Sequence, residues 1–230
     1  LFSRILYGAR VSIAVALMGP LVSILIGFFV GLVSGFQGGR VDNLLMRFVD
    51  IMYAFPTMLL IILLMAFFRA GFSAEQHGTL VGTLARLDTA MGGLLFIFIG
   101  IGLTAWMGAA RLVRGQVLSV RQNEYIIAAQ AIGVPTPRTI MRHILPNIIG
   151  PLIITETLSI PSYISYEAFL SFIGLGVNPP MPSWGSMISD GSLVIANYPN
   201  QAIFPALALF LLMFAFNFLG DGLRDALDPR

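Results

Sequence analysis

Long apolar stretches without charge restrict the fold of this chain more than any other feature. The segment 11–36 contains 26 consecutive residues without a charged side chain. As a tilted helix, such a segment can cross a hydrocarbon core of about 30 Å. Charged residues make up only 10% of the chain, against about 25% in soluble domains. We therefore predict an all-α, polytopic transmembrane helical bundle.

Five apolar segments are predicted to span the membrane: 11–36, 44–68, 93–110, 148–173 and 202–219. The first ten residues carry Arg4 and Arg10 among apolar side chains and are predicted to lie in the membrane interface. Small residues recur in rows along the first and third spans, and we expect these rows to pack closely against other helices. The rows are Ser23, Gly27, Gly31 and Gly35, and Gly100, Thr104 and Gly108.

The second span has charges near its start and a proline near its middle. Arg47 and Asp50 are three residues apart, so they are predicted to pair. Pro56 is the proline near the middle of this span. The following residues, 71–92, are predicted to form a loop, to which we assign no function. His77 in this loop has no second ligand at metal-binding spacing, so we interpret it as a solvated residue.

The arginine-rich segment 111–146, called here the polar loop, is the predicted working end of the chain. A short helix is predicted in NEYIIAAQAIG, with Asn123 as N-cap, Glu124 in the first turn and Gly133 in a left-handed conformation after the last turn. Residues at i, i+3, i+4 and i+7 are predicted to form one face that another surface approaches closely: Tyr125, Ala128, Ala129 and Ile132.

A second helix is predicted to follow in the polar loop. Thr136 and Pro137 form an N-cap and first-position pair, and Pro146 is predicted to stop or kink the helix.

The fourth span is the most polar, and its polar residues are predicted to lie along nearly one face: Glu156, Ser159, Tyr163 and Glu167. Carboxylates at bilayer depth are costly to expose to lipid, so this face should turn toward the bundle interior, an aqueous cavity or a hydrogen-bonding partner. Two interpretations of Glu167 remain open. It ties its helix to a neighbour, or it lines the outer part of a substrate pathway or its gate.

The composition excludes several kinds of chemistry in this chain. All 13 basic residues are arginine and cysteine is absent. A Walker A loop needs a lysine against the nucleotide phosphates, so any ATP and Mg²⁺ must be bound by another polypeptide. Cysteine-based metal sites and nucleophiles are excluded, and a net charge of +2 does not favour nucleic-acid binding. We predict no catalytic residue, no metal site and no cofactor.

Part of the polar loop resembles the EAA loop of ABC-importer permeases. The pattern AAxxxG followed by LP is matched by Ala128, Ala129, Gly133, Leu145 and Pro146, while Ile127 stands at the position of the motif's glutamate. The resemblance implies a coupling helix that sits in a groove of a separate ATPase subunit. The ATPase-coupling residues it implies are Glu124, Tyr125, Ala128, Ala129, Gly133, Leu145 and Pro146.

The string RFVDIMYAFP (47–56) also resembles a segment of this permease family. Two further strings narrow the resemblance to the dipeptide, oligopeptide and nickel permease group, and to the second of its two unlike permease subunits: YEAFLSFIGLGVNPPMPSWGSMISDG (166–191) and FLGDGLRDALDPR (218–230). The resemblance implies one permease domain over residues 1–230 in a bacterial or archaeal cytoplasmic membrane. It also implies an unlike second permease, ATPase subunits and an extracytoplasmic solute-binding protein as partners.

The function implied by this resemblance is ATP-driven import of dipeptides or oligopeptides, with nickel or glutathione as alternative solutes. Two other functional classes would require different sequence features. A secondary transporter would show related halves with broken helices, and no second copy of the Glu156 to Glu167 pattern occurs. A membrane-embedded enzyme would need a convergent set of reactive groups, which the sequence does not indicate.

The distribution of arginine predicts the orientation. A cytoplasmic polar loop places nine arginines inside and four outside, whereas the opposite orientation reverses these numbers. This orientation puts residue 1 outside, so we expect a further span upstream of this sequence and six spans in all.

Overall fold

The computed structural model describes residues 1–71 and 80–227, and these residues form helices and connecting turns without β-strands. The prediction of an all-α fold is confirmed. His77 lies outside the described residues. The helices are α1 (Phe2–Gln37), α2 (Gly39–Tyr53), α3 (Thr57–Gly71), α4 (Leu80–Ala90), α5 (Leu94–Arg121), α6 (Glu124–Ala131), α7 (Thr136–Thr139), α8 (Leu145–Phe172), α9 (Trp184–Ser192) and α10 (Asn200–Leu227).

Among the described residues, four helical segments are long and apolar enough to cross a membrane: α1, α5, Thr136–Phe172 and α10. The pair of α2 and α3, bent by 83° at the break between them, supplies the fifth apolar segment, so the number of apolar segments agrees with the prediction. The bounds of the first and third spans differ from the prediction. The first ten residues continue α1 without a break and do not form a separate segment, and α5 extends through Arg121 into the polar loop.

The predicted second span is interrupted at residues 54–56 and forms two helices. Pro56 has no backbone N–H, and it disfavours a helical conformation at the residue before it, so the break falls where the sequence places the proline. The predicted pair of Arg47 with Asp50 is wrong. Asp50 instead accepts a hydrogen bond of 2.5 Å from Arg111 of α5.

The prediction of a loop over 71–92 is wrong for its second half, because α4 occupies Leu80–Ala90. Gly82, Ala85 and Asp88 form the buried face of α4 at a spacing of three residues. The Asp88 carboxylate accepts a hydrogen bond of 3.0 Å from the Phe96 backbone N–H, which fixes the turn between α4 and α5.

The helix that begins at Thr136 does not stop at Pro146. Pro135 occupies the N-cap position in place of Thr136, and a π-helical turn, Ile140–Ile144, leads directly into α8. A proline ring collides with the carbonyl of residue i−4 in a regular α-helix. Because a π-helical turn is wider, it accommodates Pro146 without ending the helix.

The region between the fourth and fifth predicted spans contains α9. The Ser183 side chain accepts a hydrogen bond from the Ser186 backbone N–H, and the Ser186 hydroxyl accepts one from the Ser183 backbone N–H. This reciprocal cap fixes the start of α9. The last helix is also longer than predicted and runs to Leu227.

The chain divides into two compact units. One comprises 1–19, 56–104 and 159–217, and the other comprises 20–55, 105–158 and 218–230. The second unit contains the polar loop. Its core joins residues of α5, α6, the π-helical turn and α8: Ala109, Val113, Val117, Val120, Ile126, Ile144, Ile148 and Leu152.

Candidate functional site

The predicted glycine row of the first span is confirmed as a helix-packing surface. A Cβ atom added at Gly27 would lie 2.4 Å from the Ala109 Cβ, and one at Gly31 would lie 2.5 Å from the Ala110 carbonyl oxygen. A Cβ at Gly35 would lie 2.9 Å from the Val117 Cβ. α1 and α5 therefore approach each other backbone to backbone along this row, which fixes the helix that leads into the polar loop.

Two local predictions about α6 are confirmed. Asn123 occupies the N-cap position with an extended backbone, and Gly133 has a φ of 80°, the left-handed region that favours glycine. The Asn123 side chain does not cap the helix. Its Nδ2 atom instead lies 3.3 Å from the Tyr125 Oη atom.

The predicted common face of α6 is only partly correct, because Ala129 departs from it. Ala129 is buried together with Ile126, three residues earlier, and Ile126 is fully enclosed in the core with Val120 and Ile144. α6 is apolar on several sides, so periodicity alone does not select the buried side. Burial of the large Ile126 side chain decides the orientation.

The remaining side of α6 is exposed and is called here the α6 outer surface: Glu124, Tyr125, Ile127, Ala128 and Ile132. The exposed fraction is 54% for Ile127 and 82% for Ile132. Isoleucine exposed to this extent on two adjacent turns is typical of a surface that another protein covers.

Tyr125 is also fixed by the start of α8, an arrangement that the sequence analysis missed. Its ring lies 6.0 Å from the His143 ring. The Asn147 Nδ2 atom donates to the His143 carbonyl at 2.6 Å and lies 3.5 Å from the Tyr125 Oη atom. Of the two motif residues at this junction, Leu145 is half-buried and Pro146 is exposed.

An ion pair with two hydrogen bonds joins α2 to α5 beneath the polar loop. Arg114 donates from Nε to Asp42 Oδ1 at 2.5 Å and from Nη2 to Oδ2 at 2.6 Å, and the Ser34 hydroxyl also donates to Asp42. These hydrogen bonds, chiefly those from Arg114, hold the pKa of Asp42 below its ordinary value. The pair fixes the beginning of α2 against the helix that carries α6.

Two further arginines of α5 hold neighbouring elements. Arg121 donates to the Gly35 and Phe36 carbonyls at 3.2 and 2.8 Å, and so satisfies carbonyl groups that the end of α1 leaves free. Arg111 pairs with Asp50 and lies 4.2 Å from the centre of the Tyr53 ring. Sequence analysis missed these contacts because they join residues far apart in the chain.

The polar face of the fourth span is turned inward, as predicted. Glu156 is 3% exposed and its Oε1 atom accepts a hydrogen bond of 2.8 Å from the Ser23 hydroxyl, so it joins α8 to α1. Tyr163 is buried and Ser159 is half-buried. A Cβ added at Gly19 would lie 2.6 Å from the Tyr163 ring, which shows how closely α1 passes this side chain.

Glu167 is fully buried in the first compact unit, which comprises 1–19, 56–104 and 159–217. Its Oε1 atom accepts a hydrogen bond of 2.7 Å from the Ser171 hydroxyl, one turn later on α8. Its Oε2 atom is buried without a hydrogen-bond partner among the described residues. One hydrogen bond therefore ties the Glu167 carboxylate to the next turn of its own helix.

Comparison with known proteins gives a family match over most of the chain. The model of the family "Binding-protein-dependent transport system inner membrane component" matches residues 23–230. The oligopeptide transport system permease protein OppC of Bacillus subtilis is 42% identical over all 230 residues, which cover 68% of that protein. The dipeptide transport system permease protein DppC of the same organism is 40% identical, with 65% of its length covered.

A glutathione transport system permease protein, GsiD of Pectobacterium atrosepticum, is 37% identical over the whole chain and is covered over 69% of its length. Among solved structures, an inward-facing conformation of the MetNI methionine ABC transporter matches with a TM-score of 0.72 at 18% identity. This match covers 99% of the present chain and 98% of the other. It supports the fold alone.

Proposed function

This chain belongs to the family of binding-protein-dependent transport system inner membrane components, and from this premise we propose that it is a membrane-spanning subunit of an ATP-driven importer of dipeptides or oligopeptides. Identity of 42% and 40% to an oligopeptide and a dipeptide permease supports this solute class. The observation that carries the coupling role is the α6 outer surface, which is apolar and exposed although its helix is firmly anchored.

In this proposal the α6 outer surface contacts a separate ATPase subunit that binds ATP and Mg²⁺. Ile126 anchors α6 in a core shared with α5 and α8. Protein cores are close-packed and resist compression, so a displacement of α6 by the ATPase is passed to two membrane-spanning helices. Gly133, Leu145 and Pro146 shape the connection between α6 and α8. The chain itself performs conduction and coupling.

The coupling role is tested at Ile132 and Ala128, because both side chains are exposed and their replacement leaves the core intact. Ile132→Ser removes apolar area that the ATPase would bury, and burial of an isoleucine side chain contributes about 1.5–3 kcal/mol. We expect roughly 10- to 100-fold weaker ATPase association. Ala128→Trp should prevent close seating of α6. Retention of the ATPase on the tagged permease and substrate-stimulated ATP hydrolysis are the measurements.

The matched control is Leu193→Ser, a substitution at a leucine that is 86% exposed after α9. It should leave ATPase association unchanged. Normal association and normal stimulated hydrolysis in both Ile132→Ser and Ala128→Trp would exclude a coupling role for α6. Ala129→Trp is unsuitable for this test, because Ala129 is buried with Ile126 and its enlargement would disturb the chain's own core.

The solute is tested by uptake into proteoliposomes that contain the assembled transporter and its solute-binding protein. Competition by dipeptides and oligopeptides is expected to reduce uptake of a labelled peptide. The identity of 37% to a glutathione permease makes glutathione the second candidate, and nickel is the third. Uptake of glutathione or nickel without uptake of peptides would overturn the proposed solute class.

The proposed setting is the bacterial or archaeal cytoplasmic membrane, with an unlike second permease and with the polar loop on the cytoplasmic side. The absence of native cysteine makes this orientation testable. A single cysteine at exposed Thr136 should react with an impermeant thiol reagent only after the cytoplasmic face is opened, and one at Leu193 should react in intact cells. The opposite pattern would reverse the orientation.

A further inference from the structure

α2 carries an exposed apolar stripe that the transport proposal does not use. The stripe consists of Val41, Leu44, Phe48 and Ile51, with exposed fractions of 38%, 71%, 52% and 62%. Their spacing of three or four residues places them on one side of the helix. The opposite side is occupied by Asp42 and Val49, which are buried against α5.

Two arginines border this stripe on one side. With 100° between successive residues, Arg40 and Arg47 lie seven positions apart along one edge of the apolar stripe. Both are exposed. The acidic groups of the helix point elsewhere, because Asp42 is bound by Arg114 and Asp50 by Arg111. The surface thus combines an apolar strip with a positively charged edge.

The contacts of α2 place it beside the start of the polar loop. Its first turn is bound to Arg114, which belongs to the polar loop. Further along, the Phe48 ring stacks on the Trp106 ring at 6.3 Å. α2 therefore lies beside the segment of α5 that passes from the apolar span into the polar loop.

We propose that α2 is an interfacial helix, with its apolar stripe in the acyl-chain boundary of the leaflet next to the polar loop and with Arg40 and Arg47 bound to the phosphate groups of anionic phospholipids. An apolar face bordered by arginine is the pattern of helices that lie in the plane of a membrane surface. Arginine binds phosphate oxygens in a bidentate manner. The long side chains reach the headgroups while their stems cover the edge of the stripe.

Spin labels in the cysteine-free chain test the location of the stripe. Nitroxides are attached to Leu44→Cys and, as a matched control one residue away on the polar side, to Asn43→Cys, in the assembled transporter in nanodiscs. Lipid exposure predicts that the Leu44 label is relaxed strongly by oxygen and weakly by a water-soluble nickel chelate. The Asn43 label should show the reverse.

Two other outcomes at Leu44 overturn the proposal. Strong relaxation by the nickel chelate would place the stripe in water. Weak relaxation by both reagents would show that a protein subunit covers it. Neither outcome bears on peptide uptake or ATPase association, so the result is independent of the proposed transport function.

The arginines are tested by quenching of a fluorophore at Leu44→Cys. Brominated phosphatidylglycerol and brominated phosphatidylcholine are compared at equal fractions. Each arginine near an anionic surface favours binding by about fivefold, so phosphatidylglycerol should quench more strongly. The double variant Arg40→Gln with Arg47→Gln should abolish the difference, and Arg138→Gln, at an exposed arginine of α7, should preserve it. Equal quenching by both lipids in the parent chain would overturn the anionic-lipid site.

Discussion

Alanine at two positions of the glycine row should destabilise the chain, although alanine is normally the better helix former. The Cβ of Gly27→Ala would lie 2.4 Å from the Ala109 Cβ and 2.8 Å from the Trp106 carbonyl oxygen. The Cβ of Gly31→Ala would lie 2.5 Å from the Ala110 carbonyl oxygen. Ordinary contacts of a Cβ begin at 3.4 Å, so α1 and α5 would have to separate by about 1 Å.

The expected magnitude follows from the atoms involved. Because they belong to the helix backbone or lie next to it, no flexible side chain can move aside, and overpacking of this kind typically costs about 1–3 kcal/mol. A soluble chain of this length loses about 2–4 °C of melting temperature per kcal/mol, which gives a decrease of roughly 2–12 °C for each variant. Thermal unfolding of the assembled transporter in detergent, followed by size-exclusion chromatography, measures it.

Gly115→Ala and Gly150→Ala are the matched controls. Both glycines are in helices, and an added Cβ at either would have no neighbour within 4 Å. Alanine should therefore be neutral there, or stabilise the helix by up to about 1 kcal/mol. If all four variants had the same melting temperature, the argument that the glycine row is needed for the close approach of α1 to α5 would be refuted.

Three further predictions concern the buried polar groups. Asp42→Asn should destabilise the chain by about 1–3 kcal/mol, because it leaves Arg114 without its ion-pair partner in a partly buried site. Asp50→Asn at the exposed Arg111 pair should change stability by less than about 1 kcal/mol. Thermal unfolding compares the two variants, and equal losses would contradict the larger contribution of the Asp42–Arg114 pair. The pKa of Asp42 is lower in the folded chain than in the unfolded chain. Its contribution to folding stability should therefore be complete above an unfolded pKa of about 3.9 and should be lost as the pH falls through the folded pKa. The stability of Asp42→Asn should decline less over this pH range, and the same decline in the variant and the parent chain would contradict a stabilising Asp42–Arg114 pair. Glu167→Leu should lower the yield of assembled transporter, since it leaves the Ser171 hydroxyl without its acceptor. Glu167→Gln retains a carbonyl acceptor and should assemble normally. Selective loss of uptake of cationic solutes in Glu167→Gln would instead favour the interpretation that Glu167 lines the pathway.

Features encoded within one segment were predictable from the sequence. The apolar segments gave the all-α fold, and the spacing of Gly27, Gly31 and Gly35 gave a packing surface before its partner was known. Gly133 is similar, because a left-handed residue after a short helix is a local requirement. A long uncharged segment predicts a helix because it must cross a membrane, and a glycine row predicts close packing because glycine has no side chain. Both reasons hold wherever the pattern occurs in a sequence.

Choices between competing local rules were not predictable. α6 is apolar on several sides, so the sequence did not reveal that Ala129 turns inward with Ile126. Asp50 had a possible partner in Arg47 within one turn, yet it pairs with Arg111, 61 positions away. In both cases a contact with a distant segment decided the outcome. The local pair of Arg47 with Asp50 would contribute only about 0.2–0.5 kcal/mol.

The two glutamates of α8 show where sequence pattern and tertiary structure meet. Their inward orientation followed from the cost of a carboxylate in lipid. The partner of Glu167, Ser171, lies four residues later on the same helix. The partner of Glu156, Ser23, belongs to the row that brings α1 against α5. The same row of α1 contacts α5 through its glycines and α8 through Ser23, so a shift of α1 relative to α8 would break the Glu156–Ser23 hydrogen bond. In the packed state Glu156 therefore joins two helices, and contact with a solute would require its hydrogen bond with Ser23 to break.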